Sequence, residues 1–147
     1  MLEEQHPLIS LSINKMEDAL QTLGWGCIEL DASGRGAWIV RVEEEQIRCL
    51  ICPVLERQYV FVAALVGEVD RFRPDWMSLC LASHFMGLAT GIGSFGTTAD
   101  QRGLLIGRTV TSAELASRNL ERYLPELVAM AIHWRQQLIS NVTDVSR

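Results

Sequence analysis

The chain has 147 residues, of which 48% are hydrophobic and 21% charged, and this composition is typical of a folded globular protein rather than a disordered one. This length provides a substantial core for one domain but not for two, so we expect a single domain over residues 1–147. Lys and Arg number 13 against 18 Asp and Glu, giving a formal net charge of −5. Without a basic cluster, the sequence does not indicate binding to nucleic acid or to an anionic membrane.

Targeting signals are not evident in the sequence. The first eight residues, MLEEQHPL, are acidic and lack the basic region and apolar run of a signal peptide. The longest apolar stretch, 59–66, is far shorter than the roughly 18 residues of a membrane span. Cysteines 27, 49, 52 and 80 lie in apolar segments, where buried thiols of cytosolic proteins are found. We therefore predict a cytoplasmic protein.

The first half of the chain predicts one helix followed by four strands. Apolar residues from Ile9 to Leu23 recur at steps of four and three, which predicts an amphipathic helix that ends at Gly24. Apolar or alternating segments separated by turn residues then predict strands over 27–30, 37–42, 47–54 and 59–66. These strands are expected to form an antiparallel meander.

A second helix and a hairpin follow. Asp75 is placed to cap a helix that runs from Trp76 to about Ala89. Strands over 94–98 and 104–110 are joined by a turn, which is typical of a hairpin.

The last helix is predicted to begin at the capping box formed by Thr111 and Glu114. Glu114 and Arg118 have the i,i+4 spacing of an ion pair, and Pro125 is expected to kink or split the helix near Tyr123. The predicted fold is therefore α+β, in the order α-β-β-β-β-α-β-β-α, with helices packed on a twisted antiparallel sheet.

Two short motifs resemble functional sites but lie in the wrong context. Residues 91–96 match the letters GxGxxG, yet a helix precedes them and a hairpin follows, whereas a dinucleotide site requires a strand and then a helix. Cys49 and Cys52 form a CxxC motif inside a strand, where they point to opposite faces, so we interpret them as structural. His6, His84 and His133 are isolated in the sequence. We predict no metal, cofactor or catalytic site, while a catalytic cluster without a sequence motif stays a possible alternative.

Two segments carry more apolar surface than a small monomer readily covers. The second helix is hydrophobic on nearly every side, since Trp76 and Leu79 cannot share one narrow face with Met77 and Leu81. In the fourth strand, 59–66, both alternating faces are apolar. Each segment is either enclosed within one subunit or covered by a partner, and we favour a homodimer in which the second helix packs on its twofold mate.

The C-terminal half resembles a known family. The strand at Gly103–Val110, the capped helix start at Thr111–Leu115 and the A-x-x-W-R-x-x-L pattern at 131–138 are similar to those of class I type III secretion chaperones of the Tir-chaperone type. The resemblance is one of pattern and extends over about residues 8–140.

This resemblance implies a cytoplasmic homodimeric chaperone, without cofactor or enzymatic activity, that binds the N-terminal region of a secreted effector and keeps it secretion-competent. Client strands would add to sheet edges and client apolar side chains would enter grooves. By position, the dimer contact would include Trp76, Leu79, Phe85 and Phe95, and the partner-binding groove would include Ile9, Ile13, Ile28 and Leu30. The sensory-transduction-regulator-like proteins share this fold, so a non-catalytic regulatory protein-binding module is the alternative.

Overall fold

The computed structural model describes residues 7–30, 37–42, 44–84, 94–98, 100–117 and 119–139. The first helix and the four strands that follow it are α1 Pro7–Leu23, β1 Gly26–Leu30, β2 Ala37–Val42, β3 Glu45–Val54 and β4 Tyr59–Glu68. The remaining elements are α2 Trp76–His84, β5 Ser94–Thr97, β6 Gly103–Thr111, α3 Ser112–Ala116 and α4 Leu120–Ile139, and a single 3-10 turn, Val69–Arg71, lies between β4 and α2. The predicted α+β order is confirmed, except that the last helix is two helices.

The six strands form one sheet in the order β1-β2-β3-β4-β6-β5. The β1–β2, β2–β3 and β5–β6 pairs are antiparallel, as the predicted meander and hairpin require. β1 and β5 are therefore the two edge strands. In β1 the register shifts between Cys27 and Glu29, which makes Ile28 the extra residue of a bulge opposite β2.

The chain divides into two compact units. The first consists of Met1–Val62 and Thr109–Pro125, and the second of Ala63–Arg108 and Glu126–Arg147.

The core of the first unit forms where α1 packs against β3 and contacts β1 and α3. Alternate residues of the two paired central strands are buried, and the register places Trp38 opposite Cys49 and Val40 opposite Ile47. Because strand side chains alternate between faces, these four residues line the face that α1 covers. The intervening residues occupy the other face.

The buried stripe of α1 differs from the one that the sequence predicts. Its buried residues are Leu8, Ser12, Met16, Ala19 and Leu20. The small polar residue in this stripe is satisfied within the helix, since the Ser12 hydroxyl donates to the Leu8 carbonyl oxygen at 2.6 Å. Ile9 and Ile13, which the predicted stripe included, are only half-buried. The helix does end at Leu23, and Gly24 has φ +71°, a conformation that suits glycine after a helix.

In the second unit, α4 is fixed to the end of β4 by an arginine. The Arg135 guanidinium donates from Nε to the Val66 carbonyl oxygen at 2.6 Å and from Nη2 to the Leu65 carbonyl oxygen at 3.1 Å. Trp134 of the same helix contacts Phe95 of β5 edge to face, with ring centroids 5.3 Å apart. The core residues of this unit include Ala64, Val66, Leu104, Ile106, Leu127, Ala131 and Leu138.

The predicted capping box is confirmed, but the helix is not split near Tyr123. The Thr111 side chain accepts from the Glu114 N–H, and the Glu114 carboxylate accepts from the Thr111 N–H at 3.1 Å. α3 ends at Ala116, α4 begins at Leu120, and Pro125 lies inside α4. Pro125 has no N–H to donate to the Glu121 carbonyl oxygen and its ring crowds that carbonyl, yet the helix continues through it to Ile139. Arg118, the predicted ion-pair partner of Glu114, lies outside the described residues.

Candidate partner-binding surfaces

The helix α2 has one side packed within its unit and one side open. On the packed side Cys80 is buried, and Trp76 meets Phe72 edge to face with ring centroids 5.7 Å apart. On the open side Met77 is 57% and Leu81 69% exposed. These two residues are four apart and so lie one above the other on the helix, forming an apolar ridge that faces solvent.

The residues predicted for the dimer contact do not all lie on this ridge. Trp76 and Leu79 are half-buried, and Phe95 is half-buried beside Trp134 of its own chain. Phe85 lies outside the described residues. Their spacing in the sequence places Met77 and Leu81 on a separate face from Trp76 and Leu79, and the structure identifies that face as the exposed one.

A second apolar feature lies along the β1 side of α1. Lys15 reaches the other side, where its ammonium donates to the Ala116 carbonyl oxygen of α3 at 3.2 Å. A helix turns about 100° per residue, so Ile13 lies roughly 160° and Ile9 roughly 120° around the helix from Lys15, in the same direction. Both isoleucines are therefore directed away from α3, on the flank of the helix nearer to β1. Being half-buried, they have apolar surface left to contact a partner.

The strand beside this flank is an edge of the sheet. β1 pairs with β2, through Leu30 opposite Trp38 among others, and no further strand follows it in the sheet order of the described residues. An edge strand presents backbone N–H and C=O groups to which another extended chain can pair. Ile28 at the bulge bends this edge and interrupts its regular pairing. The predicted groove residues Ile9, Ile13, Ile28 and Leu30 thus belong to neighbouring elements of the first unit.

Burial affects the thiols of Cys49, Cys52 and Cys80 to different extents. Burial raises the pKa of Cys49 to about 12 and that of Cys80 to about 11, so both stay protonated at neutral pH. Cys49 is buried and Cys52 exposed, which confirms that the CxxC residues point to opposite faces and corrects the expectation that all the cysteines are buried. Partial burial still raises the pKa of Cys52 above its ordinary value. In the described ranges no three His, Cys, Asp or Glu side chains come together as a metal site would require.

Within the part of the chain that the structure describes, every helix is too short or too polar to cross a membrane.

Comparisons with known proteins identify solved structures that are similar in fold. No family model matches the sequence, and no curated protein matches it either. Among solved structures, a chain of the ExsC–ExsE complex is similar with a TM-score of 0.67 and 16% identity, over 90% of this chain and 97% of that one. A chain of the HopA1–SchA chaperone–effector complex is similar with a TM-score of 0.58 and 14% identity, over 86% of this chain and 96% of that one. The fold expected from the resemblance to type III secretion chaperones is confirmed.

Proposed function

We propose that this protein is a cytoplasmic homodimeric chaperone that binds the N-terminal region of a secreted effector and keeps it competent for export, without catalysing a reaction. The observation that carries the proposal is the combination of the fold with its exposed apolar features. The fold is similar nearly end to end to a chain from a chaperone–effector complex. The open ridge of α2 and the half-buried flank of α1 are where a partner would contact it.

The two apolar features suit different roles. The ridge of Met77 and Leu81 can pack against itself, because a twofold axis beside it places the same two residues of a second copy opposite this ridge. The α1 flank lies next to a sheet edge, where backbone hydrogen bonds and apolar side chains of an extended client can be bound together. We therefore assign α2 to the dimer and the flank of α1 with β1 to the client.

The client assignment is tested by co-purification with an effector fragment. The chain would be co-expressed with the tagged N-terminal region of the secreted protein encoded by the neighbouring gene. Ile13→Asp places a carboxylate on the α1 flank and should reduce co-purification at least tenfold, because a charge in an apolar contact has to be desolvated. Asn14→Asp is the matched control, since it adds the same charge at an exposed position of the same helix.

Each result is assessed against the folded state of the variant, measured by thermal unfolding. Equal recovery of the fragment with Ile13→Asp and wild type would refute the assigned groove. A stable dimer that binds no effector fragment but alters the activity of a regulator would instead support the regulatory module of the same fold.

A further inference from the structure

The end of β4 and the segment before α2 meet at a glycine. Gly67 is the penultimate residue of β4, and the buried ring of Phe72 lies against its backbone. A Cβ atom added at position 67 would stand 3.1 Å from Cε1 and 3.3 Å from Cζ of this ring, which is tighter than most such contacts in proteins. The φ of Gly67 lies outside the left-handed region, so the backbone itself would accept alanine. The ring therefore occupies the space that the missing side chain leaves free.

Both sides of this contact are held by α4. On the β4 side, the Val66 carbonyl oxygen, next to Gly67 in the chain, accepts from Arg135 Nε at 2.6 Å. On the other side, the N–H of Arg73, which directly follows the ring, donates to the Leu138 carbonyl oxygen at 2.9 Å. This bond also satisfies one of the carbonyl groups that a helix leaves free at its C-terminal end. Because both backbones are fixed to one helix, they cannot separate freely, and a larger residue at position 67 has to displace the ring.

The ring is in contact with the first turn of α2. Phe72 meets Trp76, the first residue of that helix, edge to face with ring centroids 5.7 Å apart. The Trp76 N–H donates to the Arg73 carbonyl oxygen at 3.0 Å, so the segment that carries the ring is also bonded to the start of the helix. An added carbon displaces the ring by a few tenths of an ångström, and a close-packed interior passes such a displacement to its neighbours. The ridge of Met77 and Leu81, which begins at the next residue, then points in a different direction.

We propose that Gly67 is a positioning residue for the homodimer, because it lets the Phe72 ring pack against β4 and so fixes the angle at which α2 presents its ridge. The inference rests on the proposed function, in which Met77 and Leu81 pack on the same residues of a second copy. A twofold contact contains every change of angle twice, so a small rotation of α2 misaligns both ridges. Gly67 lies outside the ridge and acts on it through the two aromatic rings.

The test compares two glycine-to-alanine variants of the full chain. Gly67→Ala should raise the dissociation constant of the dimer at least about tenfold in sedimentation, because a rotated helix loses close contacts across the interface. Gly103→Ala is the matched control, since its added Cβ would stand 3.0 Å from side-chain atoms of Leu65 and Thr98 in the same unit, rather than against Phe72. It should lower the thermal stability and leave the dissociation constant unchanged.

Shortening the ring separates positioning from a general loss of stability. Phe72→Leu removes Cε1 and Cζ, the two atoms that the added Cβ would meet. In this background Gly67→Ala should change the dissociation constant by less than about threefold, and such non-additivity shows that the two residues are directly coupled. An effect of about tenfold in both backgrounds would overturn the inference. Were Gly67→Ala alone to unfold, the double variant should fold again, and its failure to do so would likewise overturn the inference.

A second measurement does not depend on the dimer. The indole N–H signal of Trp76 in the isotope-labelled chain should shift in Gly67→Ala and stay in place in Gly103→Ala; an unchanged signal in Gly67→Ala would refute the inference. If wild type is monomeric at all concentrations while this signal shifts as expected, the positioning of α2 stands and the proposed homodimer is wrong. If wild type dimerises and folded Gly67→Ala dimerises equally tightly, the proposed function stands and the inference is wrong.

Discussion

Truncating the open ridge of α2 is the most direct test of the proposed dimer. Met77 is 57% and Leu81 69% exposed, so their replacement by alanine removes few contacts within the subunit. Complete burial of such a side chain is worth about 1.5–3 kcal/mol. Covering the exposed fractions of both residues in a dimer would therefore contribute about 2–4 kcal/mol per chain, or about 4–8 kcal/mol for the two chains.

Because 1.4 kcal/mol corresponds to a tenfold change in an equilibrium constant, Met77→Ala with Leu81→Ala should weaken the dimer by about three to five orders of magnitude. Analytical ultracentrifugation over a dilution series measures this dissociation constant. Leu55→Ala is the matched control, since Leu55 is 37% exposed in the turn between β3 and β4 and should leave the dimer unchanged. A wild-type monomer at all concentrations, or a double variant that dimerises like wild type, would refute the assignment of α2.

Two further predictions concern stability. Thr111→Ala removes the capping box of α3 and should lower the free energy of unfolding by about 1 kcal/mol. Glu114→Gln preserves a capping side chain and should lower it less. Denaturant titration compares the variants, and equal stability of wild type and Thr111→Ala would contradict the capping role. Burial raises the pKa of Cys49 from 9.0 to about 12, so at alkaline pH the thiolate forms more readily in the unfolded chain than in the folded one. The free energy of unfolding should therefore be unaffected by this group below pH 9 and should fall as the pH rises towards 12. Between pH 8 and 10 Cys49 accounts for about 1.4 kcal/mol of lost stability, and Cys80, whose pKa burial raises to about 11, adds its own loss over the same range. Cys49→Ala should therefore lose about 1.4 kcal/mol less than wild type between these pH values. The same pH dependence in both proteins would show that Cys49 does not contribute to it.

The strands could be predicted because their burial follows the sequence pattern residue by residue. One face of β2 and β3 is buried through Trp38, Val40, Ile47 and Cys49, and the residues between them are polar or half-buried. This period of two can be recognised in the sequence of each strand alone, without knowledge of the elements that pack on it. The capping box could also be predicted, because Thr111 and Glu114 hydrogen-bond to each other and are only three residues apart in the sequence.

The break between α3 and α4 could not be predicted because it depends on contacts that proline spacing does not reveal. The Tyr123 hydroxyl donates to the Glu114 carboxylate at 3.0 Å, and this hydrogen bond joins α4 to the capping box of α3. Likewise, the side of α1 that remains open depends on α3, which Lys15 contacts from a distant part of the sequence. The sequence identified Ile9 and Ile13 as apolar, but the position of the neighbouring helix determines which flank they occupy.

The apolar character of the α2 ridge leads to a last prediction, on salt. The proposed contacts between Met77 and Leu81 of two copies involve no charged groups. Raising the salt from 0.1 to 1 M shortens the screening length of electrostatic interactions from about 10 Å to about 3 Å, which weakens ion pairs but not apolar contacts. The dissociation constant of the dimer, measured by sedimentation, should therefore not rise between about 0.1 and 1 M salt. Dissociation of the dimer in about 1 M salt would show that ion pairs, and not the ridge of Met77 and Leu81, hold the subunits together.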